Sequence, residues 1–376
     1  MNFQLTEEQQ LIEQSAHDFA KEYLDPIVVH LDETGEFPKG IVKELANHDF
    51  LGLHLPADVG GAGAGLVSYV AVIESLSRSC AAVASIMNNQ AMASYAIQHW
   101  GSEAQKKQYV QALVTGETIG AFAIYEHGPT PGVGPDALVA TKKDAGYVLK
   151  GTKAYVRNAG EAGVYVVFGI TDPAEPNALT AFLVDAKATG LTVGSRLNTM
   201  GLKGCPVAHV VFDNASVPET AVLGAVKAGR EIATKVLALA SVAEAAQTVG
   251  IGHAAVEHAA AYAKQRVQFG KPVATLQAVQ TLLAEAATDC YLARLGLRNA
   301  AQLVEDAQPF EAEAARVKSF LARLGSKILV DSCQVEGGMG YSEAMPLPRL
   351  FRDIAGTTLL DAPADFPDYT IAASIA

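Results

Sequence analysis

The spacing of apolar residues changes its period twice along this chain, and that limits what the chain can fold into. Up to about Gly120 apolar side chains recur at helical intervals. From there to "HVVFDNASVP" they fall into short runs of β-branched and aromatic residues cut by Gly, Pro, Asp and Asn. After "VLGAVKAGRE" the helical period returns and holds to about Phe351. The expectation is an α+β chain in three units: an N-terminal helical domain over 1–119, an antiparallel β domain over 120–225 and a C-terminal four-helix bundle over 226–376. No fixed-period repeat or disordered linker interrupts that plan.

Local signals sharpen it. Thr6 stands three residues before Gln9 in a capping-box pattern, Leu11, Ile12, Ala16, Phe19 and Leu24 then share one helical face, and Pro26 ends or bends the helix. The stretch from Leu66 to Gly101 is apolar nearly all round and belongs deep in a helix packing, with Ser102 as the N-cap of the helix that follows. Ala-rich segments at 229–265, 273–305 and 309–335 supply the bundle.

Composition removes several classes of function. Lys and Arg total 28 against 40 Asp and Glu, a formal charge of −12, with no long basic run, so nucleic acid and anionic membrane surfaces are poor partners. No apolar run approaches a membrane span and "MNFQLTEEQQ" lacks a signal pattern, so a cytoplasmic protein without membrane insertion is expected. Cys80, Cys205, Cys290 and Cys333 are scattered and read as buried free thiols, and the nine histidines show no ligand spacing, so no metal is expected. "GGAGAG" at 60–65 and "GIGHAA" at 250–255 mimic nucleotide loops, but neither follows a strand and opens a helix.

The stretch "LKGTKAYVRNAGEAGVYVVFGIT" at 149–171 reads as strand–turn–strand, with Arg157 placing a full charge one residue before the turn. It sits among other motifs in a telling order: "FAIYEHG", "KGTKAYVRNA", "MGLKG", "VVFDNASVP", "YAKQRVQFGKPVATLQAVQ" and "QVEGGMGYSEAMPLPRLFRD". Over nearly its whole length the chain resembles the acyl-CoA dehydrogenase family, most closely its short-chain or butyryl-CoA members. The resemblance implies bound FAD, a homotetramer, an acyl-CoA thioester as ligand, and an electron-transferring flavoprotein as redox partner. It also implies a reaction in which a carboxylate removes an α-proton while the β-hydrogen leaves as hydride to the flavin; the thioester carbonyl has to be polarised for that proton to be acidic enough. On this basis Arg266, Gln268 and Phe269, in "RVQFG", reach the FAD diphosphate and adenine side across a dimer interface, where a planar guanidinium suits phosphate oxygens. Gln277, Gln334, Gly337 and Gly338 match further family contacts to the same dinucleotide, the glycines permitting close backbone approach.

The flavin-ring half of the pattern departs from the family. Tyr125 takes the place of a hydroxyl residue and His127 that of a proline, while "GPTPGVGPD" replaces a shorter loop whose serine helps hold acyl-CoA. Tyr155 stands where the family has a Trp against the ring, and Arg157 where a Thr or Ser hydroxyl reaches the flavin. The arginine lies either beside the ring, favouring negative charge there, or away from it as a solvated strand-end residue. On the segment "ATKVLALASVAEAAQTVG", Ser241 and Ala238 replace a family Arg and Asp, and Ala240 cannot serve as the base some members carry there. Glu244 reads as a solvated helix residue ahead of a new acid. Counting from Arg352–Asp353 puts Asp361 at the position of the catalytic base, Ala362 and Pro363 at flavin-holding positions and Asp365 at a second acidic position. An acidic surface tail is the other reading of that segment.

Three functions remain open. The first is an FAD-dependent acyl-CoA dehydrogenase or reductase acting on the α,β carbon–carbon bond with Asp361 as base. The second is non-standard acyl-CoA chemistry of elimination type with Arg157 on an anionic group. The third is a non-catalytic subunit of a hetero-oligomer with a homologous subunit.

Overall fold

The computed structural model describes residues 4–128, 137–172, 174–175, 178–359 and 366–375. Helix α1 (Glu7–Phe19) opens as the capping box requires: Thr6 Oγ1 accepts the Gln9 N–H at 3.2 Å, and Gln9 Oε1 accepts the Thr6 N–H at 3.0 Å. A π-helical turn over Ala20–Leu24 finishes it before Pro26. Then come α2 (Val28–Thr34), α3 (Lys39–Asn47), α4 (Gly65–Trp100) and α5 (Glu103–Val114), the last capped by Ser102 together with Gln105. α4 is broken at Cys80, where φ −141° and ψ 93° leave the helical region, and Arg349 donates to the Ser79 carbonyl beside the break at 3.1 Å.

The middle unit is one sheet. β1 (Gly120–Ala123), β2 (Val139–Lys143), β3 (Gly146–Arg157), β4 (Val164–Ile170), β5 (Leu179–Asp185), β6 (Leu191–Val193), β7 (Val207–Pro218) and β8 (Val222–Leu223) run in the order β6-β7-β3-β2-β4-β5-β8, with β1 also on β4. The β2–β3, β3–β7, β4–β5, β5–β8 and β6–β7 pairings are antiparallel, as the sequence suggested; β1 and β2 add parallel pairings to β4.

β1 is finished by a helix. The Gln90 side chain of α4 accepts the Gly120 N–H at 2.6 Å and donates to the Leu113 and Thr118 carbonyls, while Asn89 accepts the Phe122 N–H at 3.1 Å. The Asn158 amide donates to the carbonyls of Ile86 and Gly120, both at 3.2 Å. Gly120 is required for this approach, since a Cβ there would stand 2.6 Å from the Ala93 methyl.

The third unit is built from α6 (Gly229–Gln265), α7 (Gln277–Glu305), α8 (Glu311–Glu336) and α9 (Leu347–Leu359), with α10 (Phe366–Ile375) packed on α8. Between α6 and α7 a tiny hairpin pairs β9 (Val267–Gln268) with β10 (Lys271–Pro272). α9 is bolted to the rest of the chain: Arg352 takes the two carboxylate oxygens of Asp32, one at 2.7 Å, and Asp353 accepts the Leu202 N–H at 2.6 Å.

One expectation fails. α4 and α6 are each long and apolar enough to cross a membrane by length and composition. Scattered Ser, Asn, Gln and His interrupt their apolar runs without lowering mean hydropathy enough to matter. Both helices spend that apolarity inside the protein: the most apolar 18-residue window is 94% buried in α4 and 78% buried in α6. Their mutual packing forms the centre of the main core, with Val72, Leu76, Val83, Val242, Ala246 and Val249 all fully or almost fully buried.

Candidate active site and cofactor surface

The register of β3 on β7 slips between Lys153 and Val156: Lys153 faces Val210 but Val156 faces Ala208, so β3 carries one extra residue. Tyr155 sits in that bulge at φ +54°. A bulge re-aims the side chains around it. Tyr155 is thrown outward, 52% exposed, with its ring 5.7 Å from that of His127 and 5.5 Å from that of His209. Arg157, two residues on, is turned inward and is 2% exposed.

Arg157 therefore does not take the solvated place that was one of the two open to it in the sequence. It is turned into the protein, with a carboxylate of the protein itself against it. Its Nη2 donates to Glu244 Oε1 on α6 at 3.0 Å, while Glu244 Oε2 accepts from the Nζ of Lys318 on α8. Glu244 is 1% exposed, so the solvated reading of that residue is also wrong. It is the one Asp, Glu, Lys or Arg between Lys235 and Glu257, and the face it occupies is packed against other helices rather than water. Lys318 was not singled out at all. It shares its helix face with Ala314, Leu321, Gly325 and Ile328, and a charge at a core-facing position was the signal that could have found it.

Neutral groups also face Arg157. Burial pushes the Tyr69 phenol of α4 and the Tyr125 phenol well up, with the Arg157 charge opposing, and burial likewise raises the Cys205 thiol. Burial lowers the arginine itself. Lys318 is pushed down to about 7 by burial and by the Arg157 charge. Tyr125 is tied to the same corner through its carbonyl, which accepts the Ala154 N–H at 2.8 Å. A second buried pair lies next door: Lys153, pushed down to about 8 by burial, donates to Glu126 and to the Ile124 carbonyl at 2.9 Å, and Glu126 also accepts the Leu138 N–H.

The other sequence-selected residues lie elsewhere. Arg266, Gln268, Phe269, Gln277, Gln334, Gly337 and Gly338 are all exposed, and Val335 packs with Ala259, Ala263 and Val273, which brings the glycine pair alongside the last turns of α6. Among the described residues Arg266 makes no ion pair. Gly337 has φ +63°, and neither it nor Gly338 has an atom within 4 Å of where a Cβ would stand. An open glycine pair beside an uncommitted guanidinium is a fit surface for the phosphate and adenine portion of a dinucleotide. From Glu244 to Arg266 is 22 residues of continuous helix, about 33 Å at 1.5 Å per residue. The structure thus divides the sequence-selected residues into two sets, Tyr125, Tyr155 and Arg157 in one and the exposed group in the other, and does not bring them together within one chain. Asp361, Asp365, Ala362 and Pro363 lie outside the described residues, as does the greater part of "GPTPGVGPD". The glycine loops set aside earlier are a connector into α4 and a stretch of the α6 interior.

This arrangement agrees with what the chain resembles. The family models for the N-terminal, middle and C-terminal domains of acyl-CoA dehydrogenase match residues 6–117, 129–215 and 227–366. An acyl-CoA dehydrogenase of Bacillus subtilis is 36% identical over 359 residues, 95% of each chain. A 3-(aryl)acrylate reductase of Clostridium sporogenes is 33% identical over 372 residues, 98% of this chain and 99% of that one. The solved butyryl-CoA dehydrogenase of Megasphaera elsdenii superposes with a TM-score of 0.96 at 31% identity, covering all of both chains. The chain belongs to the acyl-CoA dehydrogenase family. The cofactor of that family is FAD.

Proposed function

We propose that this chain is an FAD-dependent oxidoreductase acting on the α,β carbon–carbon bond of an acyl-CoA thioester in the cytoplasm, with an electron-transferring flavoprotein as its redox partner. The observation that carries the reading is the meeting of Tyr125 and Arg157, both at ring positions of the family pattern, with side chains of α4, α6 and α8 in one buried corner where the three units join. FAD, when bound, supplies the acceptor or donor of the hydride. The residues of this chain have other tasks. Arg266, Gln268, Phe269, Gln277, Gln334, Gly337 and Gly338 hold the dinucleotide end; Tyr125, Tyr155 and Arg157 line the ring end; Asp361 takes or returns the α-proton. α9 carries the chain toward Asp361, and its described part ends at Leu359, anchored through Asp353 and Arg352.

The corner at Glu244 and the exposed set at Arg266 are separated by most of the second half of α6, which supports a second copy completing each site. The surface around the exposed set favours association: Phe269 is 89% and Tyr341 92% exposed, with Val267 and Met339 beside them. A homotetramer built from such pairs is the assembly we assign.

One relative is named for dehydrogenation and another for reduction, so both directions belong in the test. The purified protein is examined by visible spectroscopy, then titrated anaerobically with a panel of short acyl-CoA thioesters and, after chemical reduction, with their enoyl counterparts. Bleaching by one thioester, or reoxidation by one enoyl thioester, is the expected result. A yellow protein inert to both panels would count against the reaction, and a colourless protein purifying with a flavin-bearing homologue would replace it with the hetero-oligomeric subunit.

A further inference from the structure

Three charged side chains drawn from a strand and two helices are buried together at Arg157, Glu244 and Lys318, none more than 3% exposed. Such a group is poor glue. Desolvating each ion costs several kcal/mol, and apolar side chains of similar volume often hold a core as well or better. The network is better explained by what it does to the arginine. An arginine side chain has about 2 kcal/mol of rotamer freedom to lose, and a guanidinium is aimed only if something holds it. Glu244 is suited to that: it lends one carboxylate oxygen to Arg157 and the other to Lys318, so the two cations do not compete for it. Its own helix has no room to shift, because a Cβ at Gly250 of α6 would stand 2.3 Å from the Glu74 carbonyl oxygen of α4. Tyr69, Tyr125 and Cys205 also face Arg157, and burial favours the neutral form of each.

We propose that Glu244, steadied by Lys318, is a positioning residue for Arg157: the carboxylate fixes the direction of the guanidinium so that its charge is delivered at the flavin end of the site. This rests on reading the chain as an FAD-dependent acyl-CoA oxidoreductase. A cation held beside a flavin favours its electron-rich form and raises its midpoint potential; the same cation turned away does not.

The test measures the midpoint potential of the bound flavin spectroelectrochemically in the full protein, for the parent, Arg157→Met and the charge-balanced double variant Glu244→Met/Lys318→Met. Both variants are expected to move the potential to more negative values, and the triple variant to move it no further than Arg157→Met. The direction is diagnostic. Removing Glu244 and Lys318 together leaves the local charge unchanged, or more positive if Lys318 is neutral, so simple electrostatics predicts no shift or an upward one. A parental or raised potential in the double variant, with Arg157→Met shifted down, would overturn the proposal. So would an unshifted Arg157→Met. Should the double variant not fold, Glu244→Asp keeps every charge and shortens the clamp by one methylene; its potential is expected to fall part of the way toward that of Arg157→Met, and an unchanged value overturns the proposal equally. A colourless parent protein would take down the functional reading and this inference with it, whereas a yellow, substrate-reducible protein with insensitive variants would take down this inference alone.

Discussion

Arg157 Nη2 and Glu244 Oε1 stand 3.0 Å apart, joining the end of a strand to the middle of the longest helix across a distance of 87 residues in sequence. The contact is buried on both sides, so its removal has consequences for stability as well as for the site. Glu244→Ala deletes the carboxylate shared by Arg157 and Lys318 and is expected to cost about 3–5 kcal/mol. Glu244→Met/Lys318→Met, which removes charges in a pair and keeps apolar bulk, should cost distinctly less. Urea unfolding of the two variants side by side decides it; equal losses would mean the interior tolerates a bare charge.

Asp361→Asn should leave the spectrum of the bound flavin intact and lower substrate-dependent flavin reduction by about 10²-fold or more, the usual contribution of a positioned acid or base. Rapid-mixing spectroscopy with the thioester that bleaches the parent protein gives the rate. An unaltered rate removes Asp361 from the mechanism and directs attention to Asp365.

Asp353 gives a pH signature. Burial, opposed by the Leu202 N–H and Arg349, raises its carboxyl from 3.8 to about 6. The folded state thus holds the proton more tightly than the unfolded chain does. The associated stability is fully present below pH ~4 and lost as the pH rises through about 6, an effect of about 2–3 kcal/mol at 1.36 kcal/mol per pKa unit. In Asp353→Asn, whose amide oxygen can still accept from Leu202, unfolding free energies between pH 4 and 7 should lack that decline. A slope identical to the parent's would assign the titration to another group.

Phe269→Asp is expected to convert the assembly to smaller species, with loss of flavin, while changing the stability of the single chain by no more than about 0.5 kcal/mol, since the ring is 89% exposed. Light scattering coupled to size exclusion, with absorbance at the flavin band, reads both. An intact assembly in the variant would show that this face does not join copies.

Much of the molecule could be read from residue order. The capping pairs Thr6–Gln9 and Ser102–Gln105, the two changes of apolar period and the helices over 229–265 and 309–335 are local signals, and local backbone chemistry decides such features. The site was legible by position and illegible by environment. Arg157 could be flagged as odd at a strand end, but its burial depends on one extra residue in β3 and on a carboxylate 87 residues away, and neither periodicity nor motif spacing carries that information. Glu244 was misread because an isolated charge on a helix usually marks the wet face; here α6 has almost no wet face near its middle, every residue from Leu239 to Gly252 being buried. Reading for uninterrupted apolar runs missed the span-like length and hydropathy of α4 and α6, and a helix sheathed on all sides by protein can be as apolar as one sheathed by lipid.

The contacts of Gln90 and Asn89 with β1 bear on any attempt to splice this chain with a relative. A cut at the start of β1 looks natural, because the helical unit ends there and the sheet begins. Yet the amides that complete that sheet edge reside on α4, and a foreign sheet would arrive to find side chains set for another register, while the orphaned amides and strand N–H groups would each forfeit about 1–3 kcal/mol. Grafts should therefore carry α4 and β1 from the same parent: the seam visible in the sequence runs through a joint that the fold keeps in one piece.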